Sequence, residues 1–211
     1  GYNELAFGWG GNIEDKLYLG ASLTMPMINF SKTNYFGETG YFDFYEESSS
    51  KGFGLGAKFG LIYKAEPFLR FGFTYHTPQI ISFRDAINAE MYSNALPNGL
   101  SSGDLINNFK GNLYPTSYDY TMATPAKAIV SSSYFFANPN KPTQPLGFIS
   151  ADIEWVKYAG TRFYSNDNNQ EVVSYYNDLN YIIKNTYKNN FNIKIGSEVK
   201  LNGNWMARAG T

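Results

Sequence analysis

The chain has 211 residues, of which 43% are hydrophobic and 18% aromatic; it has no cysteine and a net charge of −1. Near-neutral charge, no Lys/Arg run and no GK[ST] phosphate loop exclude an electrostatic nucleic-acid binder and a nucleotide-binding loop. Lack of cysteine excludes a disulfide framework or thiolate metal site, and no apolar run reaches the ~18 residues of a transmembrane helix.

Taken in chain order, the sequence reads as a series of hairpins. Glu4 to Gly11 runs into a turn near Asn12–Asp15. The next strand sets Leu17, Leu19, Ala21, Leu23, Met25 and Met27 on one face, opposite Tyr18, Gly20, Ser22 and Thr24. After a long connection, 31–50, the segment Gly52 to Tyr63 alternates most clearly. Phe53, Leu55, Ala57, Phe59 and Leu61 oppose Gly52, Gly54, Gly56, Lys58 and Gly60. A period of two over about a dozen residues is a strand long enough to cross a tilted bilayer path. A turn at Lys64–Pro67 leads to Leu69, Phe71, Phe73 and Tyr75 against Arg70, Gly72, Thr74 and His76.

A second long connection, 78–120, precedes a hairpin from Ala126 to Ala137, turning through 138–145 and returning from Gly147 to Tyr158. In the third connection, 160–190, Val172, Tyr175, Tyr176, Leu179, Ile182, Ile183 and Tyr187 recur at helical spacing. They predict a helix over about 168–187 capped by Asp167 or Asn168. The last hairpin sets Phe191, Ile193, Ile195 and Val199 against Asn192, Lys194, Gly196, Glu198 and Lys200. It turns at Asn202–Asn204 into a strand from Trp205.

Alternating faces also suit a soluble β-sandwich. The connections decide between the two, because short turns (12–16, 64–67, 138–145, 201–204) alternate with long ones (31–50, 78–120, 160–190). Every long connection therefore falls at one end, as in bacterial outer-membrane barrels. The expected fold is all-β: an antiparallel transmembrane β-barrel fragment, residues 1–211 forming part of one domain, with one helix in an outer loop. The aromatics Trp9, Tyr63, Phe68, Trp155, Tyr158 and Trp205 are expected at strand ends, as interface girdles. An outer-membrane protein needs a signal peptide, and none is present, so the chain reads as an internal piece of a longer one.

Candidate chemistry is sparse. His76 is the single histidine, so a Ser-His-Asp triad or histidine metal site would rest on it alone; a hydrogen-bonded barrel histidine near the outer loop is the simpler role. Asp152 and Glu154 share a strand face, a spacing compatible with acid/base work. Lys58, Arg70, Lys127, Lys194, Glu198 and Lys200 fall on the same side, so a network of opposite charges in the lumen accounts for them without catalysis. No enzyme, cofactor or metal is expected.

The run Gly52 to Tyr63, followed by Leu69 to Pro78, resembles the GxGxxxGxxY…RxGxxYxS/TP hairpin of the long-chain fatty-acid outer-membrane transporters, the FadL/TodX type. Thr124–Ala126 with Ile149–Trp155, and Asn192–Val199 with Asn204–Gly210, resemble further stretches of the family in the same order. The resemblance implies a monomeric 14-stranded barrel, plugged by an N-terminal hatch, in the Gram-negative outer membrane. It implies passive transport of fatty acid-like molecules or aromatic hydrocarbons, with outer-membrane lipid as surroundings and no nucleic-acid partner. About eight strands fall within this chain, leaving the hatch and terminal strands outside it. Lys58, Arg70 and Lys127 are the inward cations expected to hold a carboxylate. Ile80, Ile81, Phe83, Met91, Val172, Tyr176, Leu179 and Ile183 are the loop residues expected to form an apolar catch site. The rival reading is a structural or adhesive barrel whose long loops bind a partner.

Overall fold

A computed structural model describes residues 1–39, 42–93, 117–138, 141–201 and 205–211; side chains at 42, 90–93, 137–138 and 141–145 lie outside that description. Eleven antiparallel strands and one α-helix follow in order. They are β1 (Tyr2–Ile13), β2 (Leu17–Glu38), β3 (Phe42–Glu66), β4 (Leu69–His76), β5 (Ile80–Ser93), β6 (Ser117–Ala123), β7 (Lys127–Asn138), β8 (Lys141–Val156), β9 (Arg162–Ser165), α1 (Gln170–Thr186), β10 (Asn190–Lys200) and β11 (Met206–Gly210). All described strands belong to one sheet, which β1 and β11 end on either side.

Eleven strands make only eight passes, because three passes are each broken in two. β4 and β5 both pair with β3: His76 faces Lys58 and Ile80 faces Leu55. Likewise β6 and β7 continue one another, as do β8 and β9. The breaks fall at one level: 77–79, 124–126 and 157–161. Two of them carry the same dipeptide, Thr77–Pro78 and Thr124–Pro125. Proline brings no N–H to the ladder, and at each break the threonine side chain restores pairing. Thr77 Oγ1 accepts from Ala57 N (2.9 Å), and Thr124 Oγ1 accepts from Gln79 N (2.8 Å). The third break is a 3-10 turn at Tyr158–Gly160.

Below the breaks the two faces differ sharply. One register row reads Leu19, Leu61, Phe73, Val130, Ile153 and Ile193 across six strands. All but the half-buried Leu61 are exposed, Ile193 to 66%, so the outward face is an apolar belt bare of cover. The opposite row reads Gly10, Gly20, Gly60, Thr74, Ile129, Glu154 and Asn192. Alternation with a period of two puts most apolar residues on the belt and most polar ones behind it, Ile129 being an apolar residue on the inner face.

The polar face is concave. Glu4 of β1 reaches Lys58 of β3 over β2, and also reaches Gln79, in the break of the next pass. In a flat sheet three strand spacings are about 14 Å, beyond the combined reach of Glu and Gln.

Several expectations need correction. Connection 31–50 is not a loop: β2 runs to Glu38 and β3 starts at Phe42, paired throughout. Its Asn, Ser, Thr and Glu content looks loop-like, but the cross-strand hydrogen bond Asn34–Glu46 satisfies such groups in a wet hairpin. Connection 78–120 contains β5 and β6, and residues 94–116 lie outside the described residues. Turn 138–145 shortens, since β8 starts at Lys141, and turn 64–67 moves to 67–68. The turn at 202–204 is outside the described residues. The first turn is a type I′ turn, with positive φ at Glu14 (52°) and Asp15 (53°). Trp9 and Trp155 sit in the middle of the belt, one row above Leu19, because β1 continues to Ile13 and β8 leads into β9. Tyr63 keeps the expected place at the lower edge, facing Leu17.

Candidate functional site

The helix lies where a strand would otherwise stand. β9 pairs with β6 on one side only, while β10 rejoins the sheet lower down, beside β8. The open edge of β9 is taken by Asn180 of α1. Its side-chain amide accepts from Phe163 N (2.8 Å) and donates to Phe163 O (2.7 Å), replacing a strand's two backbone bonds. The cap is Asn169, whose side chain accepts from Glu171 N (2.9 Å), and not Asp167 or Asn168. Glu171 in the first turn and Lys184 in the last complement the helix dipole.

Between α1 and the upper strands is a groove of about 630 Å³ lined by Asp85, Ile87, Tyr118, Tyr120, Phe163, Val172, Tyr176 and Leu179 among others. Its rings form a connected set. Phe83 stacks on Tyr120 (centroids 5.3 Å apart), Tyr120 meets Phe163 at 5.9 Å, and Phe163 stacks on Tyr176 (6.5 Å, interplanar angle 11°). Aromatic pairs at these spacings add attraction beyond their buried area. Asp85 anchors the set, accepting from Ser50 Oγ (2.5 Å) and Tyr120 OH (3.0 Å). The Tyr120 hydroxyl is the donor in that bond, which fixes its ring against Phe83 and Phe163. Burial raises the Tyr176 phenol on the helix above its ordinary value.

A second cavity, about 340 Å³, lies on the same face at the level of the breaks, lined by Glu4, Thr24, Lys58, His76, Gln79 and Lys127 among others. Here Lys58, His76 and Lys127 stand side by side in one register row. Like charges directly opposite repel, and carboxylates bound the row. Glu4 pairs with Lys58 at 2.6 Å, and Glu154 pairs with Lys127 at 3.1 Å and Lys194 at 3.8 Å. Asn192 also donates to Glu154 (2.9 Å). The inward residues of β5 connect the two cavities: Gln79, just before the strand, lines the lower one, and Asp85 and Ile87 line the upper.

The predicted catch residues therefore separate. Val172, Tyr176 and Leu179 line the groove, and Phe83 stacks at its base. Ile81 is buried against Gly54, and Ile183 is buried beneath the helix. Ile80 alternates to the outward face and is 49% exposed, so it belongs to the belt. The Met91 side chain lies outside the described residues. Lys58 and Lys127 are in the polar cavity, whereas Arg70 lies lower, its guanidinium 4.5 Å from the Phe135 ring centroid. His76 sits at the break level beside two lysines rather than near an outer loop. Asp152 and Glu154 do share a face, and Glu154 is occupied by ion pairs. No group of three or more potential metal-ligating side chains occurs among the described residues.

Sequence reasoning missed Asp85, Tyr118, Tyr120 and Phe163. The alternation Tyr118, Tyr120, Met122 was there to be read, but β6 has only seven residues and ends at a Thr–Pro break.

No protein-family model and no curated protein matches the chain. Solved structures of low sequence identity share its fold. The Pseudomonas putida toluene transporter TodX is 15% identical with a TM-score of 0.57, over 99% of this chain and 54% of its own. The Ralstonia pickettii toluene transporter TbuX is 16% identical with a TM-score of 0.55, over 99% of this chain and 55% of its own. A Pseudomonas aeruginosa FadL homologue is 16% identical with a TM-score of 0.60, over 99% of this chain and 48% of its own. The chain thus spans about half the length of these FadL-type barrels, and its open sheet is a partial barrel of that fold.

Proposed function

We propose that this chain is part of a monomeric Gram-negative outer-membrane barrel of the FadL/TodX family that passes hydrophobic molecules, without catalysis. The observation that carries the reading is the aromatic groove under α1, on the same concave face as the polar cavity below it, inside a sheet whose outward face is an exposed apolar belt. In the membrane the belt faces lipid, the short turns face the periplasm and the groove faces outward. The hatch and the remaining strands belong to the rest of the full-length protein.

The two cavities divide the work. A hydrophobic molecule leaves water in the groove, where ring faces cover it. Lower down, the row of Lys58, His76 and Lys127 meets a carboxylate head group if the molecule has one. Fold likeness to two toluene transporters and a FadL homologue supports this class of cargo. The ion pairs Glu4–Lys58 and Glu154–Lys127 cluster at the break level, with the groove above them largely apolar. An adhesive barrel has no need of such a groove.

Equilibrium binding of oleate and of toluene to the full-length protein in micelles tests this. Tyr176→Ala opens the ring set without touching the ladder, and about tenfold weaker binding is expected from the loss of one buried ring. Wild-type protein that binds neither probe overturns the reading.

A further inference from the structure

The outward face has a charge distribution of its own. From Leu17 to Met27 on β2 and from Phe53 to Tyr63 on β3, every outward residue is uncharged, and the same holds along β4, β7, β8 and β10 among the described residues. Apart from Arg162, whose guanidinium donates to the Ala159 and Thr161 carbonyls of the third break, the first charges occur together in one register row above the belt: Lys51, Arg84 and Asp119, beside Asn29. Twelve residues on β2 separate Leu17 from this row. At ~3.3 Å per residue and a tilt of ~45°, that is about 28 Å of height, close to the hydrocarbon thickness of a bilayer. The row therefore lies where the head groups of the outer leaflet begin.

Its charges are unbalanced. Asp119 takes Arg84 in a two-pronged grip, Nε to Oδ1 at 2.7 Å and a terminal nitrogen to Oδ2 at 3.0 Å. Lys51, directly opposite Arg84, has no ion-pair partner among the described residues. Two cations face each other, and the one carboxylate of the row stands beyond Arg84, an arrangement an anion relieves. Beside them runs a shallow groove of about 620 Å³ lined by Lys51, Phe53, Ser82, Arg84, Asp119 and Asn166 among others. Phe53 belongs to the belt, while Ser82 and Asn166 are neutral hydrogen-bonding groups. A ligand suited to this groove has an anionic, hydrogen-bonding head and an apolar tail.

We infer that Lys51 and Arg84 form a docking site for the phosphate of an outer-leaflet lipid, whose acyl chains lie on the belt beside Phe53. The inference rests on the membrane reading above, but not on the cargo or on the interior cavities.

Native mass spectrometry of the full-length protein in detergent tests it, with three probes: bis-phosphorylated lipid A, the same lipid A with its phosphates removed, and inorganic phosphate. Bound phosphorylated lipid A, at least tenfold weaker binding of the dephosphorylated form, and no displacement by millimolar phosphate are expected. Lys51→Met breaks no ion pair, so the fold should survive, and binding should fall about fivefold, the contribution of one cation at a lipid surface. Lys51→Glu should lower it further. Equal binding of both lipid A forms, displacement by free phosphate, or unchanged binding in Lys51→Met overturns the site. Oleate and toluene binding, measured on the same samples, should not change in Lys51→Met. Their absence in wild type would defeat the transport reading and leave this one standing.

Discussion

The sheet below the three breaks and the sheet above them use their concave faces in opposite ways. Below, glycines alternate with charged and hydroxyl side chains, and the space over the glycines is open. A Cβ added at Gly20 or Gly60 would find its nearest neighbour at 3.7 Å. Above, β3 keeps glycines at 52, 54 and 56, but the space over them is filled. A Cβ at Gly54 would meet Ile80 O at 2.5 Å and Ile81 Cγ1 at 2.7 Å; one at Gly52 would meet the Phe83 ring at 2.9 Å. The same residue type leaves a wall smooth in one half and lets a neighbouring strand close in on it in the other. The breaks make this possible, because they free β5 to bend over β3 while β4 continues the regular ladder.

Gly54→Val should separate the two halves most strongly. The clash involves backbone as well as side chain, so relaxation is limited, and a loss of about 3 kcal/mol or more is expected. The folded fraction on unheated gels and the Tm of the full-length protein in detergent measure it; a Tm near wild type would show that β5 does not press on β3. Glu154→Gln attacks the lower half. It leaves Lys127 and Lys194 without their shared carboxylate, which is 11% exposed. About 2 kcal/mol is expected, discounted because both lysines are partly wet; denaturant titration reads it. Asn180→Ala removes the clamp on Phe163 and should cost about 1–2 kcal/mol locally. Hydrogen exchange should rise at Phe163 and along α1, with lower-strand amides unchanged; uniform exchange would mean that the two regions open as one. Gly20→Ala should be nearly silent, within about 0.5 kcal/mol. Destabilisation as large as that of Gly54→Val would erase the contrast between the open and filled glycines.

Much of the lower half was legible in the sequence because one rule governs it. Ala57 to Leu61 and Leu69 to Tyr75 alternate without interruption, and the structure keeps both faces as read, including the inward side of Lys58, Arg70 and Lys127. Eight passes were also countable, as was α1. The upper half was not legible in the same way. Pro78 and Pro125 look like strand ends, since a proline usually closes a ladder, and nothing local reveals that Thr77 and Thr124 carry the pairing across. Residues 31–50 are polar on both faces, so they lack the contrast that marks a half-buried strand. The groove depends on long-range closure: Phe163, Tyr120 and Tyr176 are 43 and 13 residues apart in the chain, and only pairing of β6 with β9 and the Asn180 clamp bring the three rings together.

The β2–β3 hairpin has a consequence for how the protein reaches its place. Its strands have 22 and 25 residues, where a crossing needs ~9–11. On the proposed orientation, its polar tip, with Lys32, Glu38, Asp43, Glu46 and Glu47, must traverse the hydrocarbon during insertion. Each unpaired backbone group exposed there costs several kcal/mol. The continuous pairing between Asn29–Lys51 and Glu38–Phe42 hides most of those groups within the hairpin itself. Transit is therefore cheapest for a hairpin already zipped, in which case β2 and β3 enter the membrane as a unit rather than one strand after the other.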